Sequence, residues 1–163
     1  MSKRKRGERG IASFSGKYPE HMYYINFDAN NRPIGVTRKK FMSWFGMMVQ
    51  HMLPFHMETS KVDNQYFEEL WLETKRTWKI TNDNAKNFMM KKAVKIGTNF
   101  RSRLNTKYVN KGLNGCPRYK FLDHDKWEAF VLEKTSEEGK AKSERARACN
   151  AKKNFVPHIG RSG

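Results

Sequence analysis

The sequence predicts a mainly α-helical fold, a small bundle of three to five helices with a short N-terminal β-hairpin or extended segment and flexible basic termini. Apolar residues recur at steps of three and four over several long segments, which is the spacing of one helix face. Residues that favour helix N-termini precede these segments. Aromatic residues make up 13% of the 163 residues, enough for a small core although the mean hydropathy is −0.89.

Residues 21–35 are expected to form a small hairpin or an extended clip that ends at Gly35. Apolar and polar residues alternate there around Ala29-Asn30-Asn31. Asparagine tolerates positive φ, which a tight turn needs. Two short strands are marginal alone, so this segment has to lean on the helices.

Two amphipathic helices are predicted next. The first begins after Thr37 as N-cap and ends at Leu53 before Pro54, and its apolar stripe is Phe41, Trp44, Phe45, Met48 and Met52. The second begins after Asp63 as N-cap, and its apolar face carries Phe67, Leu70, Trp71, Thr74 and Trp78. Both stripes are predicted to be core.

The third helix is predicted to begin between Thr81 and Asp83 and to extend to about Tyr108. Its apolar side carries Met89, Ala93, Ile96, Phe100, Leu104 and Tyr108. Gly97 interrupts it at a cost of ~1 kcal/mol relative to alanine, which indicates close packing against another helix or a local break. A loop is predicted over residues 110–117.

A fourth helix is suggested from Asp123 by Trp127, Phe130 and Val131, and it is expected to bury little. Thr135 and Glu138 then match a capping box, and the stretch to Lys153 has no apolar stripe. A helix that is polar all round is solvent-exposed, bound to a partner or marginal.

These elements divide the chain into a disordered basic arm (1–20), a helical domain (21–135) and a polar basic helix with a flexible tail (136–163).

Charge is the strongest compositional feature. Thirty-three Lys and Arg against 16 Asp and Glu give a formal net charge of +17, and such a surface is expected to meet polyanions.

Two cysteines are too few for a disulfide framework and indicate a reducing compartment. No apolar run approaches the ~20 residues of a membrane span. The Lys-Arg-Lys-Arg run at residues 3–6 fits a nuclear-import signal, with a solvated or phosphate-contacting tail as the alternative.

Residues 84–122 contain no acidic residue and ten basic ones: Lys86, Lys91, Lys92, Lys95, Arg101, Arg103, Lys107, Lys111, Arg118 and Lys120. On the third helix these cations interleave with the apolar stripe, so the outer face would present them together with Asn87 and Asn99. Such a face suits phosphate and base-edge contacts. A solvated face that binds nothing is the alternative. Neutralising about eight phosphates would give log K a slope of about −7 against log salt.

Catalytic and metal sites are not predicted. Cys116 and His124 are separated by seven residues, and Cys149 and His158 by eight, whereas paired zinc ligands usually stand about two to five apart. HExxH, Gly-x-Ser-x-Gly and a Gly-rich phosphate loop are absent. The acids that could hold Mg²⁺ look like turn and cap residues: Asp28, Asp63, Asp83 and Asp123. No enzyme activity, cofactor, metal, membrane or small-molecule substrate is expected.

Taken in order, several elements resemble the plant transposase family Ptta/En/Spm. They are the Ile25–Gly35 segment, Phe41 with Trp44-Phe45-Gly46, Trp71 and Trp78, Phe100 to Tyr108, Trp127 to Val131, and the basic stretch Ser143 to Lys153 before Pro157-His158-Ile159-Gly160. The likeness covers about residues 23–162. It implies a transposon-encoded or domesticated plant protein that binds DNA in the nucleus.

The middle helices also resemble a Myb/SANT-like or trihelix module. That resemblance implies Trp71 and Trp78 as core anchors and a last helix that contacts DNA. The sequence departs from the pattern at Gly97 and Thr98, where members often carry Trp-Arg. The candidate nucleic-acid-binding residues are Lys91, Lys92, Lys95, Arg101, Arg103, Lys107, Lys111, Arg145 and Arg147.

The leading hypothesis is a double-stranded-DNA-binding module, and the alternative is a protein-interaction or oligomerisation module. The alternative would use the polar C-terminal helix or a methionine cluster formed by Met47, Met48, Met52 and Met57. Methionines more often fill gaps in a core. RNA is a third reading, but the aromatic residues fall at core spacing and do not suggest a stacking platform.

Overall fold

The computed structural model describes residues 23–112, 119 and 121–152. Within these ranges the chain forms five α-helices and an antiparallel two-stranded hairpin, which confirms the predicted mainly helical bundle. The predicted basic arm over 1–20, the loop residues 113–117 and the tail over 154–163 lie outside the described residues.

The elements follow one another closely along the chain. They are β1 (Asn26–Phe27), β2 (Pro33–Ile34), α1 (Arg38–Met52), α2 (Asn64–Trp78), α3 (Lys86–Leu104), α4 (His124–Thr135) and α5 (Glu137–Lys152). A 3₁₀ turn at Thr59–Lys61 precedes α2, and a π-helical turn at Asn105–Val109 extends α3.

The hairpin turn is held by an aspartate. The Asp28 carboxylate accepts the backbone N–H groups of Asn30 and Arg32, each at 2.9 Å. Asn31 takes a left-handed backbone with a φ of 59°, which asparagine tolerates better than most residues. The predicted turn at Ala29-Asn30-Asn31 is therefore confirmed.

Thr37 precedes α1 as predicted, but its side chain has another role. The hydroxyl donates to the carbonyl oxygen of Tyr24 at 2.6 Å and makes no capping bond to the helix. Phe27 also contacts the buried Phe41, with ring centroids 6.0 Å apart. The hairpin is thus fastened to the helical body, as two short strands require.

Aspartates cap α2 and α4, as the sequence predicts. Asp63 accepts the N–H of Gln65 at 2.9 Å, and Asp123 accepts that of Asp125 at 3.0 Å. Each bond satisfies a helix donor that has no partner within the helix.

α3 begins later than predicted because Asp83 bonds elsewhere. Its carboxylate accepts the indole N–H of Trp71 at 2.7 Å and the ammonium of Lys75 at 2.8 Å. Asp83 therefore joins α2 to the segment before α3, and α3 itself starts at Lys86.

The buried aromatic residues form two clusters, and α3 contributes to both. The first cluster is centred on α1, α2 and the first half of α3, and its largest side chains are Phe41, Trp44, Phe45, Trp71 and Trp78. The second joins the far half of α3 to α4 and consists of Phe55, Phe100, Leu104, Tyr108, Trp127 and Phe130. The expected burial of Trp71 and Trp78 is confirmed. The expectation that α4 buries little is wrong, since Trp127 and Phe130 are core residues of the second cluster.

The predicted capping box of Thr135 and Glu138 is shifted by one residue. The hydroxyl oxygen of Ser136 accepts the N–H of Gly139 at 3.1 Å, while the Thr135 hydroxyl donates to the carbonyl of Val131 at 2.8 Å. Thr135 therefore ends α4, and Ser136 caps α5.

Gly97 lies inside the continuous helix α3, so no local break occurs there, and nothing packs against it more closely than a side chain would allow. A Cβ at this position would lie 3.6 Å from the Thr59 side chain and 3.8 Å from that of Leu53, which are ordinary van der Waals contacts. Gly97→Ala is therefore expected to raise the free energy of unfolding by about 0.5–1 kcal/mol, measured by urea denaturation. Gly46→Ala in α1 is the control, because its Cβ would meet no atom within 4 Å. A loss of stability at residue 97 with a gain at residue 46 would show that the approach to Thr59 requires glycine.

Candidate nucleic-acid interface

α3 has one side in the core and one side in solvent. Met89, Ala93, Phe100 and Leu104 are buried, and they follow one another at steps of four or seven residues, on one side of the helix. Because its buried side packs in the core, α3 has a fixed position in the bundle. The backbone positions of the residues on its exposed side are therefore fixed as well.

The outer side of α3 gathers most of the predicted binding residues. Lys91, Lys95, Asn99 and Arg103 follow one another at steps of four and are exposed, so they form one row along the helix. Lys92 lies beside this row and is half-buried, with its ammonium 5.5 Å from the centre of the Phe88 ring. We call the set Lys91, Lys92, Lys95, Asn99, Arg103 and Lys107 the α3 basic face.

The π-helical turn continues the same two-sided pattern. Tyr108 is buried in the second aromatic cluster, whereas Lys107 is exposed. Lys107 follows Arg103 by four residues and extends the α3 basic face past the end of α3. Lys111, two residues beyond the turn, is also exposed.

No cation of the α3 basic face forms a salt bridge within residues 23–112, 119 and 121–152. The acidic side chains near α3 pair with cations that lie off this face. Glu68 holds Lys86, with both carboxylate oxygens 2.7 Å from the ammonium. Because that hydrogen bond favours the ionised acid, the pKa of Glu68 is lowered. The face therefore keeps a positive charge that the described part of the protein does not neutralise.

Arg101 corrects the sequence-based list of binding residues. Its side chain is 8% exposed and lies between α3 and α4. The guanidinium donates to the carbonyl of Phe55 at 2.7 Å and to the Glu133 carboxylate at 3.1 Å. It also lies 5.2 Å from the centre of the Phe130 ring. Arg101 is thus a buried structural cation and is not part of the candidate interface. The exposed Arg103 lies two residues further along α3, and residues two apart in a helix point to different sides.

Arg145 and Arg147 are exposed and lie on α5, which contacts α4 but buries none of its own residues. They belong to a different element from the α3 basic face. Asn87 is exposed one turn before Lys91 and adds an amide beside that face.

The methionine cluster has mostly a packing role. Met47, Met48 and Met52 are half-buried and lie against the first aromatic cluster, whereas Met57 is 36% exposed. Three of the four methionines are thus committed to the bundle, as gap-filling side chains often are.

The described residues contain no group of three or more His, Cys, Asp or Glu side chains arranged as metal ligands. Cys116 and His158, one member of each Cys-His pair considered in the sequence, lie outside the described residues. None of the described helices combines the length and the apolar character that crossing a bilayer requires.

His56 is expected to make the stability of the fold depend on pH. Its Nδ1 is buried and has no hydrogen-bond partner among the described residues. Burial, followed by the charges of Lys126 and Arg101, lowers the pKa of His56 below its ordinary 6.5. The unfolded chain therefore takes up the proton first as the pH falls, so the stability associated with neutral His56 is present above pH 6.5 and is lost below it.

We expect the melting temperature to fall between about pH 7 and about pH 5, and we expect His56→Gln to flatten that part of the curve. The carboxylates with lowered pKa do not interfere, because Glu58, Glu68 and Asp83 have ordinary values of 4.5, 4.5 and 3.8. Thermal melts in a pH series measure the effect. Parallel curves for the wild type and the variant would rule out His56 as the source.

Comparisons with known proteins return no relative: no protein-family model, no curated protein and no solved structure matches the chain. The likeness to the Ptta/En/Spm family therefore rests on the quoted sequence elements alone.

Proposed function

We propose that this chain is the DNA-binding module of a plant transposon-derived nuclear protein, and that it docks the α3 basic face on duplex DNA. One observation carries the binding proposal. A row of cations runs along the exposed side of a helix whose other side is packed in the core, and no acid of the described residues pairs with that row. The transposon origin and the nuclear location are inferred from the sequence resemblance.

The dimensions of α3 suit a DNA groove. The 16 helical steps from Lys91 to Lys107 span about 24 Å at ~1.5 Å per residue. A major groove about 12 Å wide admits one α-helix. Along this length the lysines and Arg103 are placed for phosphate contacts. Asn99 and Arg103 also carry the amide and guanidinium groups that form paired hydrogen bonds with adenine and guanine edges.

The proposal includes no catalytic step. The four aspartates considered above as Mg²⁺ ligands have structural hydrogen-bond partners instead. Asp28 holds the hairpin turn, Asp63 and Asp123 cap helices, and Asp83 bonds to Trp71 and Lys75. Docking requires only that the basic face remain exposed and charged.

The salt dependence of binding tests the proposal. The five cations of the α3 basic face and Lys111 give six candidate phosphate contacts, so log K is expected to fall with log salt at a slope of about −5. Fluorescence anisotropy with a labelled duplex at several salt concentrations measures this slope, and a single-stranded RNA of equal length is the comparison. We expect the duplex to bind more tightly at every salt concentration.

The assembly alternative predicts a different result. Absent or salt-insensitive binding, together with an oligomer in light scattering of the free protein, would reject DNA docking and favour association between protein chains. Tighter binding of the RNA would reject the duplex as the ligand.

A further inference from the structure

The two-stranded sheet has an open edge along β1. The N–H of Asp28 donates to the carbonyl of Arg32 at 2.9 Å, which makes these two a hydrogen-bonded pair. Hydrogen-bonded and non-hydrogen-bonded pairs alternate along antiparallel strands, so Phe27 and Pro33, one step further, are a non-hydrogen-bonded pair. Proline has no N–H to donate there. The N–H and C=O groups of Phe27 therefore point away from β2, and no backbone group of the described residues bonds to them.

An open cavity of about 440 Å³, which we call the β1 slot, runs along this edge. One wall is formed by residues 24–28 of the hairpin, and the other by residues of the connection from α2 to α3, among them Thr81, Asn82 and Asn84. The first wall thus presents the backbone of an edge strand, whereas the second presents polar side chains. The volume lies within the roughly 300–1,000 Å³ of ligand-binding sites.

The β1 slot also contains a buried donor without an acceptor. Trp78 lines the slot and is 2% exposed, and its Nε1 has no hydrogen-bond partner within the described part of the chain. An unpaired buried donor is unfavourable, and most such groups in native proteins have a partner. A ligand with regularly spaced carbonyl and N–H groups would satisfy both Trp78 and the edge of Phe27.

Lys79 gives the β1 slot a preference for negative charge. This lysine lines the slot, is exposed and forms no salt bridge in the ranges that the structure describes. Asp28 lines the slot as well, but its carboxylate already accepts the N–H groups of Asn30 and Arg32. The net charge of +17 also attracts acidic ligands over a longer range. An acidic side chain in the slot would pair with Lys79.

We propose that the β1 slot binds an extended acidic segment of a partner protein, which adds to β1 as a third strand. In this mode of recognition, main-chain hydrogen bonds supply the affinity and side-chain contacts supply the selectivity. The main-chain bonds are made with Phe27, and an Asp or Glu of the segment pairs with Lys79. The inference is independent of DNA docking, because no residue of the slot belongs to the α3 basic face.

Selection from a peptide library tests the slot. Random heptapeptides displayed on phage are selected on wild-type protein, and the enriched peptides are titrated by fluorescence anisotropy. Thr81→Trp and Asn84→Trp place a large side chain at exposed positions of the second wall, and each is expected to weaken binding at least roughly tenfold. Asn30→Trp is the matched control, since Asn30 is exposed in the hairpin turn outside the slot. Its affinity should equal that of the wild type.

Two further measurements test the strand and its charge. Alternate N–H groups of a strand point to opposite edges. Methylating every second backbone nitrogen of an enriched peptide should therefore abolish binding in one of the two possible series and preserve it in the other. Lys79→Glu is expected to weaken binding of the acidic peptides roughly tenfold or more. Lys126→Glu, at an exposed position of α4 outside the slot, should weaken it much less.

The outcomes are distinct. If no enriched peptide distinguishes wild type from the two slot variants, the β1 slot is refuted as a binding site. Equal binding of both methylated series would refute strand addition, and enriched peptides without Asp or Glu would refute the pairing with Lys79. A dimer in light scattering that Thr81→Trp abolishes would identify a second copy of this chain as the occupant and overturn the partner segment. Binding of duplex DNA should be the same in Thr81→Trp and wild type, so the proposed function stands or fails separately.

Discussion

Lys91→Glu/Lys95→Glu is expected to weaken duplex binding roughly hundredfold or more at about 0.1 M salt, and to make the salt slope about 2 less steep. The two side chains are exposed one helical turn apart at the start of the α3 basic face. Each substitution removes a phosphate contact and adds a repulsive charge. Because neither side chain is buried or paired, the melting temperature should stay nearly unchanged. Anisotropy titrations and thermal melts on the same samples measure both quantities.

Lys79→Glu/Lys126→Glu is the matched control. It changes the net charge by the same amount at two exposed residues that lie after α2 and on α4. We expect a much smaller loss of affinity, owing to long-range repulsion alone. Lys92 is left out of the test because its contact with the Phe88 ring links charge to packing. Equal losses in the two double variants would show that net charge, and not the α3 basic face, controls binding.

Arg101→Ala is expected to lower the free energy of unfolding by about 3 kcal/mol, since it leaves a buried carbonyl without its donor and a half-buried carboxylate without its main partner. The substitution removes the donor to the Phe55 carbonyl and the partner of Glu133. It also leaves a gap beside Phe130. Calorimetry should show a melting temperature lower by roughly 10 °C. At a temperature where the variant is folded, its salt slope for DNA should equal that of the wild type.

Arg103→Ala should give the opposite pair of results. This neighbour is exposed and belongs to the α3 basic face, so its loss should change stability by less than about 0.5 kcal/mol. Its salt slope should become about 1 less steep. If Arg101→Ala altered the slope and Arg103→Ala altered the stability, the two arginines would have been assigned to the wrong sides of α3.

The local elements of the fold could be predicted because each depends on nearby residues. The spacing of apolar residues predicts α1 to α4, and the caps of Asp63 and Asp123 involve residues only two positions away. Asp83 has the same local pattern, but its strongest partners come from α2, 8 and 12 residues earlier. The predicted start of α3 failed there because a tertiary contact outweighed the local signal.

The candidate site was predictable in outline for the same reason. The periodicity of α3 shows which of its residues face away from the core, so the row formed by Lys91, Lys95 and Arg103 could be predicted. The burial of Arg101 could not, since its partners lie 46 and 32 residues away in sequence. Nothing in the sequence distinguishes Arg101 from Arg103, or indicates that Glu68 neutralises Lys86.

Lysine footprinting by mass spectrometry tests the central claim most directly. Free and duplex-bound protein are acetylated under conditions where each exposed lysine reacts at most once. We expect DNA to protect Lys91, Lys95 and Lys107, while Lys79 and Lys126 react as in the free protein. Uniform protection of all five lysines, or protection of Lys79 and Lys126 alone, would contradict the assignment of the α3 basic face.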